Sequence, residues 1–162
     1  MITDRQPLRS FLFAPGNHVR RVEKALSLDA DAVILDLEDA VATAEKAATR
    51  EVVAAAFARE RRGWLYVRVN AADTDFCYGD LVAIVRPGLD GVILPKVESA
   101  AQLATIDWLV SQLERERGLP ASGIDLIPII ETAKGLARLG DRPAGQVHRH
   151  AFHEPGAGDE PR

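Results

Sequence analysis

The chain has 162 residues, room for one ordinary domain, and its 47% hydrophobic and 27% charged content is that of a globular protein. Twenty Lys and Arg against 24 Asp and Glu give a net charge of -4, so no basic stripe is on hand to neutralise phosphates and no nucleic-acid partner is expected. A single cysteine, Cys77, excludes an internal disulfide framework and a multi-cysteine zinc site, and no apolar run approaches the roughly 18–20 residues that span a bilayer. Met1 to Pro7 carries no signal-peptide core. A cytoplasmic protein with no membrane partner is the expectation.

In chain order, Phe11–Ala14 is a short apolar strand closed by Pro15-Gly16, and Asn17 is placed to cap a helix bearing Val19, Val22, Ala25 and Leu26. Ala32–Leu37 is a second strand, and the Ala-rich stretch Thr43–Phe57 is helical by propensity. Leu65–Asn70 and Gly91–Lys96 are the third and fourth strands. Ser99 with Gln102 forms a capping box that opens a helix with Leu103, Ile106, Leu109, Val110 and Leu113 on one face. Ile124–Glu131 is the fifth strand, and Thr132–Leu139 begins another helix.

Strands apolar on both faces and followed by helices indicate a parallel sheet covered by helices. An open doubly wound sheet and a closed (β/α)₈ TIM barrel both fit that pattern. The Gly-rich dinucleotide fingerprint is absent after the first strand, and polar residues sit instead at the C-terminal ends of several strands, where a barrel assembles its site. Only about five β/α units fit into residues 1–140. From Asp141 to Arg162 the sequence holds three Pro, three Gly and three of the four His, with Val147 and Phe152 as its large apolar residues. Such a segment is expected to be a disordered tail, non-homologous to what precedes it, and the loss of pattern after Leu139 suggests a truncated or frameshifted reading frame. His148, His150 and His153 lack the rigid frame of a metal cluster.

Strand alternation puts Asp36 with Glu38 on one face, as it does Tyr66, Arg68 and Asn70, and Ile127, Ile129 and Glu131. If that face is the barrel interior, carboxylates and a guanidinium converge at one mouth. An Arg there can hold a substrate carboxylate through two parallel bonds, and carboxylates with an open position suit Mg²⁺. A carboxylate-bound metal near an Arg is suited to 2-keto acids and so to aldol or Claisen carbon–carbon cleavage. The same residues also admit quieter roles. Arg68 could be the ion-pair partner of Asp36, Glu38 and Asp39; Glu131 could assist the following helix; Lys96 could be an exposed strand-end lysine; Cys77 could be a small buried side chain.

The segments RSFLFAPGN, AVILDLEDAV, LYVRVN, GVILPKVES and LIPIIETAKGL occur in the order seen in the citrate lyase beta-subunit-like family, within the HpcH/HpaI aldolase and malyl-CoA lyase group. The resemblance covers about residues 8–139. It implies a (β/α)₈ barrel of the phosphoenolpyruvate and pyruvate-binding type, a homo-oligomer, and Mg²⁺-dependent cleavage of a 3-hydroxyacyl thioester. Citryl- or malyl-thioester, borne on CoA or an acyl carrier protein, would give a keto acid such as oxaloacetate and an acetyl thioester. By motif, Arg68 would bind the substrate carboxylate, and Glu131 would bind Mg²⁺ and through it the keto acid. Asp36 and Glu38 would line the pocket as candidate catalytic acids and position Arg68. The family's second metal ligand, an Asp in a Gly-x-Glu-Asp-type motif, has no counterpart in this sequence. The competing expectation is therefore a catalytically inactive truncated pseudoenzyme, or an oligomer subunit that binds keto acids without turnover.

Overall fold

The computed structural model describes residues 7–140. Five parallel strands form one sheet: β1 (Phe11–Pro15), β2 (Ala32–Asp36), β3 (Trp64–Arg68), β4 (Gly91–Leu94) and β5 (Asp125–Pro128). Their order across the sheet is their order in the sequence. A doubly wound sheet reverses direction at a switch point, and none occurs among the described residues. Stepwise order with parallel pairing is the layout of a barrel wall, so the barrel expectation is the one the topology supports.

The helices between the strands are α1 (Val19–Ser27), α2 (Lys46–Ala56), α3 (Cys77–Ile84) and α4 (Ala100–Glu116), with α5 (Ala133–Ala137) after β5. The first four pack on one face of the sheet. The main core joins Val22, Leu26, Val53, Leu81, Ile106 and Val110 from helices to Val33, Leu35, Leu65, Val67, Val92 and Leu94 from strands. The opposite strand face holds a smaller cluster of Ala32, Ile34, Tyr66 and Ile93, flanked by Leu8, Trp64, Ile127 and Ile129, with no helix residue in it. Alternation of side chains along each strand accounts for the separation of the two clusters.

Local chemistry explains most boundaries. Ser99 Oγ accepts the Gln102 amide while Gln102 Oε1 accepts the Ser99 amide, so the capping box forms in both directions. Three expectations need correction. Asn17 does not cap α1: the N-cap is His18 without a side-chain bond, and Asn17 Nδ2 donates instead to Glu45 Oε2 at 2.7 Å. Thr43–Glu45 is a separate 3₁₀ turn ahead of α2. The third, fourth and fifth strands stop at Arg68, Leu94 and Pro128, so Asn70, Lys96 and Glu131 lie beyond them. The expectations for residues 141–162, including the three histidines and the tail, lie outside the described residues.

Candidate active site

The register pairs Asp36 with Arg68, so the last residues of β2 and β3 stand side by side on the helix-free face. Arg68 donates from Nε to Asp36 Oδ1 at 2.8 Å and from Nη2 to Asp36 Oδ2 at 2.6 Å. Asp36 also accepts the amides of Glu38 and Ala40, at 2.9 and 3.0 Å. Burial pushes the Asp36 carboxyl up, but the Arg68 bonds and the two amides outweigh it and hold it below the usual carboxylate range. The same bonds raise Arg68. The guanidinium lies 5.1 Å from the Phe13 ring centroid, over a ring that β1 supplies. Gly16 lets β1 come this close: its amide donates to the Asp36 carbonyl at 2.9 Å, and a Cβ there would sit 2.7 Å from that oxygen.

The third nitrogen of Arg68, Nη1, forms long ion pairs with Glu38 and Asp39, the network around Arg68 that the sequence also allowed. It stands 3.5 Å from Glu38 Oε2 and 3.7 Å from Asp39 Oδ2, too far for charge-assisted hydrogen bonds of about 2.7–2.9 Å. Glu38 is 5% exposed, and its Oε2 is buried without a hydrogen-bond partner. Two lysines hold this segment. Lys46, the first residue of α2, donates to the carbonyls of Leu37 and Glu38 at 3.0 and 2.6 Å. Lys96 Nζ donates to Glu38 Oε1, and that bond raises the Lys96 ammonium above its ordinary pKa.

Glu131 follows β5 and is exposed. Its Oε1 accepts the Lys96 amide at 3.1 Å, leaving Oε2 without a hydrogen-bond partner among the described residues. Glu38, Lys96 and Glu131 therefore form a continuous chain of contacts beside Arg68. Among the described residues no group of three or more His, Cys, Asp or Glu side chains is gathered as a metal cage. One carboxylate oxygen open to solvent fits a hard cation as a single ligand, the rest of its shell coming from water and substrate.

Asn70, placed by alternation on the Arg68 face, is instead buried behind the mouth. Its Nδ2 donates to the Leu37 carbonyl at 3.0 Å and to Asp80 Oδ2 at 2.7 Å. Asp80, fully buried on α3, also accepts from Arg50 Nε at 2.8 Å. This tie between α2, α3 and the ends of β2 and β3 was not read from the sequence. The spacing of Cys77, Leu81, Ile84 and Val85 is a helical signal for α3, but the partners of Asp80 are 10 and 30 residues away.

An open cavity of about 460 Å³ is lined by Phe13, Ala14, Pro15, Asp36, Asp39, Ala40 and Arg68. Another, of about 420 Å³, lies by Trp64 at the start of β3 and has Arg59, Arg61 and Arg62 in its wall. Those arginines already face Glu23, Asp90 and Asp29. The cavity at Arg68 is the one that lies at the C-terminal ends of the strands, where a barrel assembles its site. It combines the Arg68 guanidinium with the Phe13 ring and the carboxylates of Asp36 and Asp39.

Residues 9–141 match the family model described as HpcH/HpaI aldolase/citrate lyase. The chain is 37% identical over 145 residues to the citrate lyase subunit beta of Leuconostoc mesenteroides subsp. cremoris, covering 85% of this chain and 48% of that one. It is 35% identical over 152 residues to an L-malyl-CoA/beta-methylmalyl-CoA lyase of Cereibacter sphaeroides, covering 91% and 48%. Among solved structures it is similar to the citrate lyase beta subunit of M. tuberculosis complexed with oxaloacetate and magnesium. That match has a TM-score of 0.60 at 36% identity and covers 79% of this chain and 49% of the other. The chain spans about half the length of the curated relatives it matches.

Proposed function

The chain belongs to the HpcH/HpaI aldolase/citrate lyase family, and from that premise we propose that its mouth binds a 2-keto acid and serves a Mg²⁺-dependent carbon–carbon lyase acting on a 3-hydroxyacyl thioester. The observation that carries the reading is the divided guanidinium of Arg68. Asp36 occupies Nε and Nη2, while Nη1 makes no hydrogen bond and only long ion pairs with Glu38 and Asp39, and Arg68 lines an open cavity. A side chain gripped on one edge is pre-oriented to receive a carboxylate on the other, so little further ordering is lost on binding.

Asp36 is a positioning residue in this scheme, because its two oxygens already accept four hydrogen bonds. Of the two candidate acids, Glu38 keeps an oxygen with no hydrogen bond and is the one able to accept a proton. In the cleavage direction a base takes the proton of the 3-hydroxyl, the carbon–carbon bond breaks, and the hydroxyl carbon becomes the keto group. The electron pair passes to the acyl fragment as a thioester enolate, which is then protonated. Arg68 holds the carboxylate of the departing keto acid throughout. Glu131 offers one ligand for Mg²⁺, which when bound polarises the substrate oxygen and stabilises negative charge at that end. Citryl- and malyl-thioesters, on CoA or a carrier protein, are the substrates in view, and a homo-oligomer is the assembly that light scattering would test. The names of the relatives support this reading.

A keto-acid-binding unit without turnover is the second reading. It is favoured by the single open carboxylate of Glu131 and the lack of a gathered acidic cage among the described residues. Calorimetry with pyruvate and oxaloacetate in Mg²⁺, run beside an assay for keto acid released from citryl- and malyl-CoA, separates the two. Binding with release supports the lyase, and binding without release supports the second reading. No binding in Mg²⁺ refutes both.

A further inference from the structure

Lys96 has a backbone conformation that lysine rarely adopts. Its φ is +52°, in the left-handed region, which costs a residue with a Cβ about 1–2 kcal/mol relative to the right-handed form. Strain of this kind persists only where the surroundings fix it. Here the turn aims the two ends of one residue at two acids. The main-chain N–H meets Glu131 after β5, and the ammonium meets Glu38 after β2. Since β3 lies between β2 and β4, the Lys96 side chain reaches across the end of the strand that carries Arg68.

We propose, resting on the reading of the mouth above, that Lys96 is a positioning residue that keeps Glu38 off the outer edge of Arg68 and so leaves that edge open to a 2-keto acid carboxylate. Glu38 is the nearest competitor for that edge. Its Oε2 has no hydrogen bond and pairs only loosely with Nη1 at 3.5 Å, longer than a charge-assisted hydrogen bond of about 2.7–2.9 Å. Its other oxygen is held by Lys96. Asp39 is drawn the same way, 3.6 Å from Lys96 Nζ against 3.7 Å from Arg68 Nη1. Without the ammonium, the buried glutamate has one strong donor left within reach, and closing on it would neutralise the charge that an incoming carboxylate needs.

The test is calorimetric titration of the full chain with pyruvate in Mg²⁺, comparing wild type, Lys96→Met, Lys96→Gly and the double variant Lys96→Met with Glu38→Gln. Loss of the ammonium is expected to weaken pyruvate binding about tenfold, the size of one charge-assisted contact. The double variant should return to within about twofold of wild type, because the amide no longer competes for Arg68 as an anion. Lys96→Gly keeps the amide that Glu131 accepts and relieves the left-handed strain. It should bind as weakly as Lys96→Met while unfolding at no lower temperature, and it carries the test if Lys96→Met does not melt cooperatively. A merely structural lysine would predict weakening that Glu38→Gln does not rescue, and that result overturns the proposal. Equal affinity in wild type and both single Lys96 variants overturns it as well and leaves the mouth reading standing. A wild-type chain that does not bind pyruvate overturns both.

Discussion

Asp36 holds Arg68 along one edge of its guanidinium, accepting from Nε at Oδ1 at 2.8 Å and from Nη2 at Oδ2 at 2.6 Å, from paired register positions on β2 and β3. The pair makes the mouth rigid before any ligand arrives. Arg68→Lys keeps the charge but cannot be gripped twice and still present a free planar edge. We expect pyruvate affinity to fall at least about tenfold, the equivalent of about 1.4 kcal/mol. Arg68→Ala leaves Asp36 and Glu38 without their guanidinium partner and should cost about 3–5 kcal/mol in urea unfolding. An unchanged pyruvate affinity in Arg68→Lys would rule out the divided-edge reading.

Asp36 also makes stability depend on acid. Its folded pKa lies below the unfolded value of about 3.9, so the folded state binds this proton less readily than the unfolded chain. The resulting stabilisation is complete above about pH 5 and is lost as pH falls past 3.9 through the folded value. Urea midpoints measured from pH 6 to pH 3 should drop less steeply for Asp36→Asn than for wild type. Parallel curves would show that the pair makes no net contribution to the linkage.

Cys77 is expected to be inert in the native protein. Burial first, then the charges of Asp80 and Asp73, push its thiol up to about 12. An aromatic disulfide reagent at pH 8 should label it only at the rate of opening, and at once in denaturant. The same shift works against the fold in alkali. An unfolded thiol ionises from about pH 8.5 while the folded one stays protonated, so stability should decline by up to about 1.4 kcal/mol per pH unit from this group alone. Cys77→Ser would remove that slope.

Asp80 is a structural centre behind the mouth. Asp80→Ala strands the Arg50 guanidinium, which is largely buried, and frees the Asn70 amide from one of its two acceptors, for an expected loss of about 3–5 kcal/mol. Asp80→Asn, which keeps the shape and one acceptor, should cost less. Since Asn70 Nδ2 also holds the Leu37 carbonyl, amide exchange at Leu37 and Glu38 should quicken in both variants. Unchanged exchange there would separate this network from the mouth.

The strands, their order and the Ser99 capping box were legible because each rests on short-range pattern: apolar runs, helical spacing, a Ser and a Gln three apart. The convergence of Asp36, Glu38 and Arg68 followed from alternation and the barrel layout. What alternation could not give was behaviour two residues past a strand end. Asn70 turns inward to Asp80, and Lys96 turns left-handed, because tertiary partners 10 to 58 residues away decide those torsions. Asn17 fails as a cap for the same reason, Glu45 being the partner its side chain takes. The role of Glu131 remains the reading proposed above, tied in the structure to the Lys96 amide.

The order of the strands also sets a timetable. Each new strand adds to the edge laid down just before it, so the sheet can grow from one end as the chain leaves the ribosome. Asp36 and Arg68 can meet as soon as β3 docks, with β4 and β5 still unmade. Lys96 can reach Glu38 only one unit later, and Glu131 joins last. The Asp36–Arg68 half of the mouth is thus older, within the life of each molecule, than the half that Glu131 completes.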